Sequence, residues 1–239
     1  MSKLSFSVVI PAAGIGKRVG ADIPKQYLKI LGKTIIEHSL APFLIHPDIK
    51  SVIVSIANND QWFNDLDISL HPKLTVVKGG KERVDSVLNA LKLLGSDDYV
   101  LVHDAARPCV QMEDINNLIS SAKNNKNGAM LACRVRDTMK RSDDTNQIKN
   151  TVDRENLWHA LTPQLFNNQQ LIDAITSIEN QHLITDEASA IELAGGKVCI
   201  VEGRSDNLKV TQSEDLLLAE FYLSKFNVTA NKNLLRTKI

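Results

Sequence analysis

The stretch "SVVIPAAGIGKRVGADIPKQYL", residues 7–28, decides the fold. It starts in an apolar, β-branched run from Phe6 to Ile10, with no polar residue at alternate positions beyond Ser7. A short continuous apolar run is the pattern of a strand buried on both faces, and such strands belong to parallel sheets. Small residues follow at Ala12, Ala13, Gly14 and Gly16, then the cations Lys17, Arg18 and Lys25. A strand that runs into small residues and cations is built to bring backbone N–H groups close to an anion.

Outward from this stretch the pattern repeats. Thr34–His46 reads as a helix, with Ile35, Ile36, Ser39, Leu40 and Phe43 near helical spacing, and Ser51–Ala57 and Leu74–Val77 read as strands. Glu82–Leu94 is amphipathic, Val84, Val87, Leu88, Leu91 and Leu94 sharing one face. Tyr99–His103 and Ala129–Cys133 are further buried strands, with a helix over Glu113–Lys123 between them. Strands and helices alternating at this spacing imply crossover units. The fold class expected is α/β: a mostly parallel, Rossmann-like sheet with helices on both faces. Residues 134–156 break the pattern, being polar and charged around a turn at Ser142–Asn146. A long structureless loop is uncommon in a compact domain, so a protruding β-hairpin arm is expected there, placed to reach a partner subunit. Helices return at Asn167–Ile178, Thr185–Leu193 and Ser213–Phe226, with a strand at Lys197–Glu202. This gives one domain over residues 1–226 and a patternless tail over 227–239.

Composition narrows the function. Lys plus Arg and Asp plus Glu are both 28, so the formal net charge is zero. A neutral chain lacks the broad positive field that binds nucleic acid or anionic membrane, and any anion site must be local. No leader-like apolar segment opens the chain and no long apolar span follows, which points to the cytoplasm. Cys109, Cys133 and Cys199 are far apart and form neither a zinc nor a disulfide pattern.

The 7–28 loop fits neither common phosphate cradle. GxGxxG fails at Val19, and Walker A fails because Gly16-Lys17 is followed by Arg18 while Pro11 stands where the first glycine belongs. What remains is a strand, Ala-Ala-Gly-x-Gly, and two cations, Arg18 and Lys25, separated by Pro24. Pro24 bars a continuous helix, so the chain can fold back and set Lys25 across from Arg18. Two cations around one phosphate suit a reaction at phosphorus, where charge grows on the equatorial oxygens and the leaving group. Asp104, in "VLVHDAARP", sits just past a buried strand, where open sheets bind ligands and where a carboxylate can hold Mg²⁺; it could equally cap the next element. Arg107 could neutralise it. Asp206 is a second candidate metal contact, Gly79-Gly80 opens a helix N-terminus with Ser86 in its first turns, and "TDEASA" reads as a capping box.

"PAAGIGKR" with "IPKQYL" resembles the signature loop of the sugar-nucleotide and cytidylyl transferases. With "VVKGGKERVDSV", "VLVHDAARPCV", "VRDTMKR", "TVDRENLWHALTPQLF", "TDEASAIE" and "VEGRSDNLKVT", the chain resembles the 2-C-methyl-D-erythritol 4-phosphate cytidylyltransferase family over residues 6 to about 225. The resemblance implies that Ala12, Ala13, Gly14, Gly16, Gly80, Ser86 and Ala105 hold CTP. It gives Arg18 and Lys25 the transition state and Asp104 the Mg²⁺. It puts Arg107, Thr138 and Thr162 on the substrate side, and makes Arg154 and Lys209 the pair that positions methylerythritol phosphate. Arg154 is expected to reach the neighbouring subunit of a homodimer. Lys81 departs from the family, which often has an acidic residue there. A cytidylyltransferase for ribitol 5-phosphate and a non-catalytic nucleotide-binding regulator are the rival readings.

Overall fold

Strand β1 (Phe6–Pro11) lies at the centre, with Val8, Val9 and Ile10 fully buried, as a continuous apolar run requires. The computed structural model describes residues 4–14, 23–122 and 124–236, the side chains beyond 226 excepted. Gly16 and Arg18 lie outside the described residues.

β2 (Lys29–Ile30) and β3 (Lys33–Thr34) form a tight hairpin whose two turn residues, Leu31 and Gly32, both have positive φ. It feeds α1 (Ile35–Ile45), which starts where Thr34 and Glu37 form a reciprocal capping box. Then follow β4 (Ile49–Ile56), β5 (Leu74–Lys78), α2 (Arg83–Leu91), β6 (Tyr99–Val102), α3 (Met112–Ser121) and β7 (Ala129–Arg134). β8 (Met139–Ser142) and β9 (Ile148–Val152) make the hairpin expected within 134–156; β8 is exposed throughout, and so is β9 up to Thr151. β10 (Trp158–Asn167), α4 (Asn168–Ser177), α5 (Glu187–Leu193), β11 (Cys199–Glu202) and α6 (Glu214–Arg236) complete the chain.

The main sheet runs β11-β7-β10-β6-β1-β4-β5. All neighbours are parallel except β10, which is antiparallel to both β6 and β7. Alternation along β1 divides the core: Val8 and Ile10 pack with α1 and α3, while Val9 packs with α2, α4 and α5. Each fully buried aliphatic side chain of this kind contributes about 1.5–3 kcal/mol. α6 closes a third cluster over Ile30, Cys109 and Val210.

Besides the short β2–β3 hairpin, β10 and α6 differ from the sequence expectation. β10 falls on residues given no element there, because His159, Thr162 and Gln164 interrupt the apolar pattern and Pro163 lacks a ladder donor. The register shifts between Ala160 and Gln164, and this bulge accommodates Pro163 inside an interior strand. α6 continues past Phe226 to Arg236 through low-propensity Asn, Val and Thr, since extending a formed helix is far easier than nucleating one.

Candidate active site

The parallel strands deliver their C-terminal ends to one edge. β1 lies between β4 and β6, so the chain passes to opposite sides from it, and a crevice opens between the loops after β1 and β6. A cleft of about 280 Å³ occupies this place. Its walls are Pro11–Gly14, Lys25 and Gln26, the 80–83 segment with Ser86, residues 104–106, and Lys209.

Each wall is fixed locally. Ala12 N–H donates to Ser55 O (2.7 Å) and Gly79 N–H to Ile56 O (2.7 Å), which ties both loops to the end of β4. Glycine is needed at 79 and 80. A Cβ on Gly79 would lie 2.3 Å from Ala13 Cβ, and one on Gly80 would lie 2.1 Å from Asp85 Cβ. The Gly80 N–H donates to Ser86 Oγ (3.0 Å), so the buried Ser86 hydroxyl holds the Gly-Gly turn against α2. Val210 N–H donates to Ala106 O (2.8 Å), and Lys25 Nζ donates to Val210 O (2.8 Å), so Lys25 and Lys209 reach the cleft on either side of one peptide segment.

A charge network forms the floor. Asp104 accepts from Lys209 Nζ at 3.0 Å and from Arg83 and Arg107 at 3.3 Å each. Arg83 also forks onto Glu187, at 2.7 and 3.1 Å. Burial alone would raise the Asp104 carboxyl, but Arg83, then Lys209 and Arg107, outweigh it and hold it well below the usual carboxylate range. Burial likewise works against the Arg83 charge, and Glu187 and Asp104 overcome it and push its pKa up. Beneath lies His103, whose pKa burial lowers to about 4. Both its nitrogens are engaged: Nε2–H donates to Arg107 O (3.2 Å), Nδ1 pairs with the Thr162 hydroxyl (2.9 Å), and Thr162 Oγ1 accepts the Asp104 N–H (3.1 Å).

Of the residues singled out in the sequence, the cleft gathers Ala12, Ala13, Gly14, Lys25, Gly80, Ser86, Asp104, Ala105 and Lys209. Arg107 and Thr162 are buried beside it rather than on its wall. The Arg107 guanidinium is committed to Asp104, Asn207 O and Ala160 O, the neutralising role left open above. Thr138 and Arg154 do not line the cleft of their own chain. Arg154 is exposed and donates to Arg136 O. Sequence reasoning passed over Arg83, Glu187 and Gln26. The signal was available for the first two, because an acidic residue opening a helix that buries its neighbours calls for a cation.

Of the two carboxylates the sequence offered to a divalent cation, Asp104 is the one on the cleft wall. Its carboxylate is ionised but already engaged, Oδ1 by Arg83 and Oδ2 by Arg107 and Lys209, so an ion that takes its other ligands from phosphate and water would have to displace one of these cations to bind it. Asp206 is absent from the cleft wall, and Arg204 engages both its oxygens. No cluster of three or more metal-ligating side chains occurs among the described residues, and no helix among them is long and apolar enough to cross a membrane.

Comparison with known proteins agrees with this geometry. Residues 6–225 match the family model IspD, 2-C-methyl-D-erythritol 4-phosphate cytidylyltransferase. The enzyme of that name from Pseudoalteromonas atlantica is 55% identical over 219 residues, covering 91% of this chain and 95% of its own. Among solved structures, a 4-diphosphocytidyl-2C-methyl-D-erythritol synthase superposes with a TM-score of 0.81 at 36% identity, over 92% of this chain and 99% of the other. The Francisella tularensis 2-C-methyl-D-erythritol 4-phosphate cytidylyltransferase gives 0.78 at 39% identity, over 91% and 99%. The chain belongs to the 2-C-methyl-D-erythritol 4-phosphate cytidylyltransferase family.

Proposed function

We propose that this chain joins CTP and 2-C-methyl-D-erythritol 4-phosphate to give 4-diphosphocytidyl-2-C-methyl-D-erythritol and pyrophosphate, a step of non-mevalonate isoprenoid biosynthesis. One observation carries the reading: in a member of this family, the small-residue loop, Lys25, Lys209 and Asp104 meet in a single cleft at the strand ends. The cleft wall bears Lys25, Lys81, Arg83 and Lys209 against Glu82 and Asp104, a local cationic excess in a neutral protein.

An oxygen of the acceptor phosphate attacks the α-phosphorus of CTP, and the bond from that phosphorus to the β-bridging oxygen breaks as pyrophosphate leaves. The acceptor monoester has a second pKa of about 6 and is largely ionised at neutral pH, so no strong general base is needed. The protein orients the reactants and neutralises the charge that grows at phosphorus. Lys25 serves the transferring phosphate together with Arg18, and Lys209 holds the acceptor phosphate. Asp104 would hold Mg²⁺ with the triphosphate oxygens, where the ion supplies charge neutralisation. The amides of Ala13 and Gly14 face the nucleotide, and the Gly79-Gly80 turn, its own N–H groups bonded to Ile56 O and Ser86 Oγ, forms the wall beside them.

Arg154 and Thr138 stand outside the cleft of their own chain, which supports a homodimer whose arm completes the neighbouring site. Three free thiols support action in a reducing compartment, the cytoplasm. Pyrophosphate release from CTP against a panel of polyol phosphates tests the reaction, and turnover with ribitol 5-phosphate but not methylerythritol phosphate would overturn it. Lys25→Ala should lower kcat by on the order of a hundredfold or more with the fold intact. Mixing Lys25→Ala with Arg154→Ala protein should restore part of the activity, and stable mixed dimers without recovery would refute the shared site.

A further inference from the structure

We infer that Gln26 is a positioning residue for the nucleotide triphosphate, a side-chain amide clasp that orients the peptide groups of the loop after β1. The inference rests on the cleft being the CTP site. Gln26 is 4% exposed, and its Nε2 donates to Ala12 O at 2.8 Å and to Gly14 O at 3.2 Å. Those two carbonyls bracket the small-residue segment that walls the cleft.

The consequence follows from peptide geometry. In a planar trans peptide, C=O and N–H point in opposite directions. Ala12 O and the Ala13 N–H belong to one peptide unit, so drawing the carbonyl onto Gln26 turns the Ala13 N–H the other way. The clasp thereby settles which pole of the loop backbone is free to meet an anion. Without it the Ala12 and Gly14 carbonyls lose a buried partner, and a carbonyl turned toward the cleft would repel phosphate.

The clasp has a rigid base. Gln26 lies in a short 3₁₀ turn, Lys25–Tyr27, set by Pro24. Tyr27 is buried, its hydroxyl donates to Asp60 Oδ2 at 2.6 Å, and its ring stacks on Trp62 with centroids 5.6 Å apart. Asp60 Oδ1 in turn accepts the N–H groups of Trp62 and Phe63. Gln26 is thus held from behind by contacts that do not involve the loop it clasps.

Gln26→Glu and Gln26→Met separate this role from simple packing. Glu keeps the shape but replaces two donors by a carboxylate; Met keeps the length with neither donor nor charge. CTP binding is measured by calorimetry in magnesium-containing buffer, and KM and kcat are measured for both substrates. Both variants should bind CTP about tenfold or more weakly and raise KM for CTP to match, consistent with losing buried hydrogen bonds. Saturating kcat and the KM for the acceptor should stay within about threefold. The defect of the Glu variant relative to wild type should shrink as pH falls from 8 to 5.5, because the protonated acid regains one donor. The Met variant should show no such recovery, and it carries the test alone should the Glu variant fold poorly. CTP affinity within twofold of wild type, or losses shared equally between CTP and acceptor, overturns the clasp. Failure of the wild-type protein to bind CTP would instead overturn the reading of the cleft.

Discussion

Lowering the pH should weaken this fold well before its carboxylates titrate, and His103 is the cause. The ring is fully buried with both nitrogens engaged, so burial penalises its charged form. Burial lowers its pKa from 6.5 to about 4. Between those values the unfolded chain takes up a proton that the folded chain refuses. Stability contributed by the neutral ring is therefore complete above pH 6.5 and is lost as pH falls toward 4. With these two pKa values the loss between pH 7 and pH 5 is about 2 kcal/mol. At an m-value near 3 kcal/mol/M this moves the urea midpoint by about 0.6 M. The control is His103→Gln, whose amide can still donate to Arg107 O but does not titrate. Urea unfolding of both proteins from pH 7.5 to 5 isolates the effect, since other ionisable groups cancel in the difference. The variant should start less stable by about 1–2 kcal/mol, having lost the acceptor for Thr162 and the ring contact with Phe43. It should then lose markedly less stability on acidification. Parallel curves, within about 0.5 kcal/mol across the range, would refute the assignment of His103 as a buried neutral ring.

Three further outcomes can be measured. Glu187→Gln keeps the shape but removes the charge facing Arg83, costing about 2 kcal/mol and lowering the calorimetric midpoint by roughly 4–8 °C; an unchanged midpoint would show that the pair is not buried as described. Leu101→Ala, in the centre of the sheet with no exposure, should destabilise by about 2–5 kcal/mol in urea, and a cost below about 1 kcal/mol would contradict the packing. Replacing residues 139–152, nearly all exposed, by a short Gly-Ser link should keep the circular dichroism of the sheet and helices; on the proposal that the arm joins two subunits, sedimentation should then report monomers, and a dimer that persists would remove the arm from the interface.

The sheet was legible where its strands obey the simplest rule. β1, β4 and β6 are parallel and covered on both faces, so each carries a run of three or more consecutive apolar residues, and their C-terminal ends point to the cleft. Lys25 and Asp104 could be placed for the same reason, each a short step beyond such a strand or its turn. β10 escaped because its residues answer two demands. Thr162 serves His103 and the Asp104 N–H, and Gln164 bonds both Asp186 Oδ2 and the Ala188 N–H at the start of α5. Polar residues kept for such purposes erase the alternation that marks a strand. The arm was readable as an excursion, since two exposed faces leave no periodicity to find.

Arg107 and Arg83 show why side-chain type alone did not assign the site. Both are arginines near one carboxylate, yet one is sealed below the cleft and the other forms part of its wall. The difference comes from partners far away in sequence: Asn207 and Ala160 receive Arg107, while Glu187 receives Arg83. A carboxylate among three cations serves an anion-binding cleft because it keeps those cations close together without ligand, where their mutual repulsion would otherwise spread them. Arg83, Arg107 and Lys209 against Asp104 and Glu187 leave one positive charge uncompensated. A triphosphate arriving there meets donors already oriented, so less of its binding energy goes into arranging the site. Glu187 matters to that preorganisation although it lies outside the cleft wall, since without it Arg83 would be fixed by Asp104 alone.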